Sequence, residues 1–175
     1  MGVGDQVDRV DRFLASGAKI LEDYQPHWVH MAGYRDYQLS WPILEEDTGR
    51  TRANLRFRIP DSDFRYPSIS LILSGAAICR VDRADPSVCK PNPPWAAALG
   101  LSPQVCGTHA HTWLDNRQFV LSRGVWEQPA RRQIDAELAD LDAMFFWFCG
   151  AINVRIQPHN RPIRLPDAGL FGRMQ

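Results

Sequence analysis

The sequence predicts an α+β fold, a mainly antiparallel sheet of five to seven strands with two helices packed on one face. Three observations predict it. Stretches of apolar and polar residues alternate with a period of two and follow one another through tight turns. Two other stretches carry apolar residues at three- and four-residue spacing. The strands run in hairpin pairs instead of alternating with helices, as a parallel sheet would require. The chain has 175 residues, 45% apolar and 23% charged, which is globular usage and excludes wholesale disorder.

The elements are expected in this order. Residues 5–22 read as a helix, with Val7, Val10, Leu14, Ala18 and Leu21 on one face. Tyr37–Trp41 reads as an edge strand and 47–50 as a turn. Residues 52–59 show the clearest alternation, with Ala53, Leu55, Phe57 and Ile59 inward and Arg52, Asn54, Arg56 and Arg58 outward. Residues 69–74 and 76–82 form a hairpin about Ser74-Gly75. Residues 84–107 carry five prolines and read as a loop, with a helical turn at Trp95–Leu99. A strand over 108–114, a turn at Asp115-Asn116 and a return strand over 118–121 follow. Residues 134–149 read as the second helix, ended by Gly150, and 152–156 as a last strand. Residues 1–156 form one expected domain, and 157–175 a Pro-rich irregular tail.

Composition narrows the functional classes. Twenty basic and 20 acidic side chains cancel, so no global attraction to nucleic acid exists and any such binding is local. The longest apolar run, 143–152, is too short for a membrane span. Acidic residues near the start do not suit a secretion signal, and the expectation is a cytoplasmic protein with no membrane partner. The four cysteines, Cys79, Cys89, Cys106 and Cys149, are expected as reduced thiols, with Cys79 and Cys149 buried.

Strand parity points to one patch. If Ala77, Cys79 and Val81 face inward, Arg80 and Asp82 face outward. If Ala110, Thr112 and Leu114 face inward, His109, His111 and Trp113 face outward. Together with Arg52, Arg56 and Arg58, these side chains are expected on one solvent-accessible face, with Arg117 nearby. Two imidazoles act as general base and acid near neutrality, and guanidinium groups hold a phosphate. Trp113 would stack on a base. His109, His111 and Arg80 are therefore the expected catalytic groups, and Arg52, Arg56, Arg58, Asp82, Trp113 and Arg117 the expected binding groups, for cleavage of RNA without cofactor or metal. A zinc reading through Cys89, Cys106, His109 and His111 matches no specific ligand spacing.

At Arg52–Arg58, Arg80-Val-Asp82, Asn92-Pro93 and Gly107-Thr-His-Ala-His111 the chain resembles a group of small uncharacterised bacterial and prophage proteins, over residues 50–155. The resemblance implies a mobile-element or defence-related setting. Two functions fit that setting. One is an RNase-like toxin using His109 and His111. The other is a non-catalytic inhibitor that docks to a protein or nucleic-acid complex through its charged faces. Charge is segregated in a way that serves either. Residues 50–83 carry seven Arg against Asp61, Asp63 and Asp82, whereas residues 1–47 carry four basic against nine acidic side chains. Convergence of the two imidazoles with Arg56, Arg58 and Arg80 on one pocket favours the enzyme; a flat spread favours docking.

Overall fold

The computed structural model describes residues 2–134, 137–158, 160, 163 and 165. Helix α1 spans Val3–Ala15 and is followed by strands β1 (Lys19–Leu21), β2 (Val29–Met31), β3 (Asp36–Glu45), β4 (Thr51–Pro60), β5 (Ser68–Leu73) and β6 (Ala76–Asp82). Then come β7 (Cys89–Pro91), a 3-10 turn at Pro94–Leu99, β8 (Gln104–Cys106), β9 (His109–His111), helix α2 (Trp113–Arg123), β10 (Arg132–Gln133) and helix α3 (Leu141–Ala151). The main sheet runs β1-β3-β4-β5-β6-β9-β10, with β2 also paired to β3 and every neighbour antiparallel. The strands β7 and β8 form a separate ribbon. The expected α+β class is what the structure has, with a third helix and a longer sheet.

One face of the sheet carries the core. Leu39, Trp41, Ile43, Leu55, Phe57, Ile59, Ile69, Leu71, Cys79 and Val81 pack with Val7 and Val10 of α1 and Met144, Phe145 and Phe148 of α3. Phe145 stacks on Trp41, with ring centroids 5.6 Å apart and ring planes nearly parallel. No described helix is long and apolar enough to cross a membrane.

Several expectations are corrected. The first helix ends at Ala15, not at residue 22. The Lys19 ammonium donates to the carbonyls of Phe13, Leu14 and Ser16, caps the helix C-terminus, and lets the chain continue as β1. The segment Tyr37–Trp41 lies inside a long internal strand. Pro42 is tolerated there because it falls between the residues that pair with β2 (36–38) and those that pair with β1 (43–45). Residues 118–121 are helical, not a return strand. Thr112 Oγ1 accepts from the Asp115 amide at 3.2 Å and donates to Asp115 Oδ2 at 2.7 Å, which starts α2 where a turn was expected. The last helix begins at Leu141 because the Asp140 carboxylate accepts from the Ala143 amide. Within the expected helix over 134–149, residues 135 and 136 lie outside the described residues. Residues 152–156 form no strand and make a single parallel bridge from Arg155 to Ile20. Most of the expected tail over 157–175 also lies outside the described residues.

The cysteine expectation divides. Cys79 and Cys149 are free and buried, whereas Cys89 and Cys106 form a disulfide across β7 and β8. That bond removes both sulfurs from any metal site and overturns the Cys-His zinc reading. It also runs against the cytoplasmic expectation, since reducing compartments keep most thiols open.

Candidate functional site: an Asp-His-His cluster behind an arginine

Two rows of side chains cross the sheet on the face opposite the core. Pairing places Ser40, Arg56, Ser70, Arg80 and His111 side by side in one row. Gln38, Arg58, Ser68, Asp82, His109 and Gln133 form the next. With strands about 4.8 Å apart, the first row places Arg56 two strands, on the order of 10 Å, from Arg80. Strand alternation in the sequence thus assigns Arg56, Arg58, Arg80, Asp82, His109 and His111 to one face.

The rows end in a compact cluster. His111 Nε2 lies 3.3 Å and His109 Nε2 3.6 Å from Asp82 Oδ2. Arg80 Nε donates to Asp82 Oδ2 at 2.8 Å, and Arg80 Nη2 donates to His111 Nε2 at 2.9 Å. The other ring nitrogens are held from behind. His109 Nδ1 is 2.7 Å from the Gly107 carbonyl, and His111 Nδ1 is 2.6 Å from the Gln128 carbonyl.

Exposure departs from the expectation. His109 and His111 are each 1% exposed, not solvent-accessible. Parity assigns them to the correct side, opposite Ala110, but that side is not bare at β9. The segment through Gln128 and the turn at Gly107 fold over it. Asn92 ties these parts together. Its amide donates to the carbonyls of Ser102 and Arg131, and its side-chain oxygen accepts from the Arg131 amide. Arg80, with 40% of its side chain exposed, is the member of the cluster that meets solvent.

Electrostatics follow from this burial. Desolvation pushes His109 below its ordinary value, against the opposing pull of the Gly107 carbonyl and Asp82, so its imidazole is neutral at pH 7. Burial also pushes the Asp82 carboxyl up, but the charge of the Arg80 guanidinium that donates to it outweighs that and holds it below its ordinary value. The half-buried Arg131 guanidinium lies within range of the charges of Arg80 and Asp82, and its buried Nε has no hydrogen-bond partner among the described residues.

The remaining predicted site residues lie elsewhere or are already engaged. Arg56 is exposed and makes no hydrogen bond or ion pair among the described residues. Arg58 is paired with the buried Asp36. Arg52 pairs with Glu45 beyond the end of the β4–β5 ladder. Trp113 is no base-stacking platform. It is 4% exposed, stacks on Trp126 and donates to Asp11. Arg117 forms a two-pronged pair with the same Asp11, so both residues fasten α2 to α1. Strand parity does not reach Gln128 and Arg131, which lie in a segment without periodicity. Comparison with protein-family models, curated proteins and solved structures returns no match to this chain.

Proposed function

We propose that the chain is a phosphodiesterase acting on single-stranded RNA, in keeping with the toxin-like setting its motifs imply. The observation that supports this reading is the in-register row from Arg56 through Ser70 to Arg80 and His111. It joins an unpaired surface guanidinium to a half-exposed one, with a base-rich cluster directly behind. Arg56 and Arg80 meet successive phosphates, and Ser70 between them, with Ser68 beside it on β5, leaves a polar track.

Arg80 has two roles in this reading. At rest it neutralises Asp82 and donates to His111. A substrate phosphate competes for the same guanidinium, draws it outward and uncovers the Nε2 lone pairs. One neutral imidazole then takes the proton of the 2′-hydroxyl on its Nε2, the 2′-oxygen bonds to phosphorus as the bond from phosphorus to the 5′-oxygen breaks, and the proton is returned to the departing 5′-oxygen, leaving a 2′,3′-cyclic phosphate, while Arg80 balances the charge that builds on the phosphoryl oxygens.

The test is cleavage of an end-labelled single-stranded RNA by the purified chain, read at several salt concentrations. Wild type cleaves, and Arg80→Ala and His111→Ala do not. Arg56→Ala weakens binding and lowers the salt slope by roughly 0.7, the share of one phosphate contact on a single strand. RNA bound with an unchanged length would overturn the reading in favour of a non-catalytic docking protein, and RNA neither bound nor cut would overturn both.

A further inference from the structure

The protonation of the two histidines is fixed by their surroundings. A carbonyl oxygen only accepts, so the Gly107 and Gln128 carbonyls place the proton of each imidazole on Nδ1. Both Nε2 atoms of the neutral rings are then bare lone pairs. They point to the same place as the Asp82 carboxylate, and the three donor atoms lie within 4.8 Å of one another. Three electron-rich atoms converging in a buried site call for a cation between them. Arg80 supplies one but reaches only Asp82 and His111. His109 Nε2 is buried and has no hydrogen-bond partner among the described residues. A buried acceptor left unmet is costly, so it marks a position where a further partner belongs.

We propose that Asp82, His109 and His111 form a binding site for one divalent first-row transition metal of the zinc class, through the Asp82 carboxylate and both Nε2 atoms, with the Arg80 guanidinium displaced when the ion enters. This rests on the same cluster as the RNA reading but not on RNA being the substrate. Two imidazoles and one carboxylate suit zinc, cobalt, manganese or iron(II) and disfavour calcium and magnesium, which take oxygen ligands. Three protein ligands leave a coordination position for water, as in catalytic rather than structural sites. The ligands stand on paired strands, β6 and β9, and each imidazole is oriented from behind by a backbone carbonyl, the usual outer partner of a metal-bound histidine. The acceptor behind His111 is itself anchored, because Gln128 Nε2 donates to the Ala77 carbonyl of β6.

Arg80 makes the proposal specific. It is part exposed and flexible enough to leave, and its charge competes with an incoming ion. A purely structural ion-pair cluster would give the opposite response to its removal.

The experiment titrates the full metal-stripped chain with Zn²⁺ by calorimetry and with Co²⁺ by visible absorption. One ion binds per chain. Asp82→Asn and His109→Gln each weaken binding by more than about 100-fold, beyond the usual cost of losing an outer-sphere partner. Arg80→Ala binds about tenfold more tightly, because a neighbouring positive charge is gone. Should a variant fail to fold, the wild-type chain still decides. Zn²⁺ must shift the ring resonances of His109 and His111 and leave those of the exposed His27 and His30 in place. Absence of stoichiometric binding, wild-type affinity in Asp82→Asn, or weaker binding in Arg80→Ala would overturn the site. Zinc bound by a chain that leaves RNA intact keeps the metal site and removes the RNA reading. RNA cut in the presence of chelator by a chain that binds no zinc does the reverse.

Discussion

Arg80 and His111 stand directly opposite each other on β6 and β9, and the guanidinium Nη2 donates to the imidazole Nε2 across 2.9 Å. An arginine N–H can only donate, so this contact and the Gln128 carbonyl on the far side of the ring agree on one neutral tautomer. The same guanidinium holds Asp82 through Nε. One part-exposed side chain therefore keeps a buried and a partly buried acceptor satisfied.

Removing it has a measurable cost. Arg80→Ala leaves the Asp82 carboxylate, only 17% exposed, without its charged donor. The expected loss is about 1–3 kcal/mol in urea unfolding, the range for an acceptor left unmet. Arg80→Lys recovers only part of it, since one ammonium cannot span both acceptors as the planar fork does. Saturating Zn²⁺ restores the stability of Arg80→Ala, because the ion takes over the neutralising role. A loss that zinc leaves untouched would count against the metal site.

Burial of His109 sets a pH dependence. Its folded pKa is depressed from the ordinary value of 6.5. As pH falls through that value the unfolded chain takes up a proton that the folded chain resists, and stability falls. The contribution is complete above the unfolded pKa and is lost as pH drops toward the folded one. Unfolding free energy is thus expected to decline as pH falls through the unfolded value of 6.5, and His109→Gln should flatten that part of the curve. Asp82, also depressed, acts in a separate and more acidic window, with stability present above its unfolded value of 3.8 and lost as pH falls through the folded one. An identical profile below pH 7 in wild type and His109→Gln would contradict the burial argument.

The cysteines give a clean chemical test. Two thiols, Cys79 and Cys149, are buried, and desolvation pushes Cys79 up to about 12 and Cys149 higher still. No thiol should react with a water-soluble reagent in the native chain, two should react after unfolding, and four after unfolding with reductant. The Cys89–Cys106 bridge spans 17 positions, and opening it by Cys89→Ser/Cys106→Ser is expected to cost about 3 kcal/mol. Four thiols titrating without reductant would remove the bridge.

Much of the fold was legible because half-buried antiparallel strands write their faces into the sequence. Ala53, Leu55, Phe57 and Ile59 are buried in β4, as their alternation predicts, and Arg56 and Arg58 are exposed. The Arg80, Asp82, His109 and His111 cluster followed from the same parity. What parity cannot report is whether a face is covered. The cover over His109 and His111 comes from the carbonyls of Gly107 and Gln128, in segments tied together by the Asn92 amide, with no periodicity. Helix α2 was misread because Trp113, Leu114, Phe119, Val120 and Leu121 look strand-like in short windows. The signal that outweighs them is local, Thr112 with Asp115 at the start and Gly124 at the end. The opposite error made α1 too long, since Ala18 and Leu21 fit a helical spacing although the chain has already turned at Ser16-Gly17.

Gly107 links the disulfide ribbon to the cluster, and its replacement tests how the site is oriented. Its φ is +71°, and a Cβ there would lie 3.2 Å from the Pro86 Cα, a backbone atom that cannot swing aside. Gly100 has the same φ of +71° with nothing within 4 Å, so it serves as the control. Gly100→Ala carries only the left-handed penalty, about 1 kcal/mol. Gly107→Ala carries that penalty plus the backbone displacement, and an expected total of about 2–3 kcal/mol. The displacement has a second consequence, because the Gly107 carbonyl is what keeps the proton of His109 on Nδ1 and its Nε2 toward Asp82. Gly107→Ala should therefore also weaken Zn²⁺ binding about 10–100-fold, as loss of an outer-sphere partner does, whereas Gly100→Ala leaves it unchanged. Equal stability losses at the two glycines would remove the steric argument. Unchanged zinc affinity in a folded Gly107→Ala chain would mean that His109 is oriented by something other than this carbonyl.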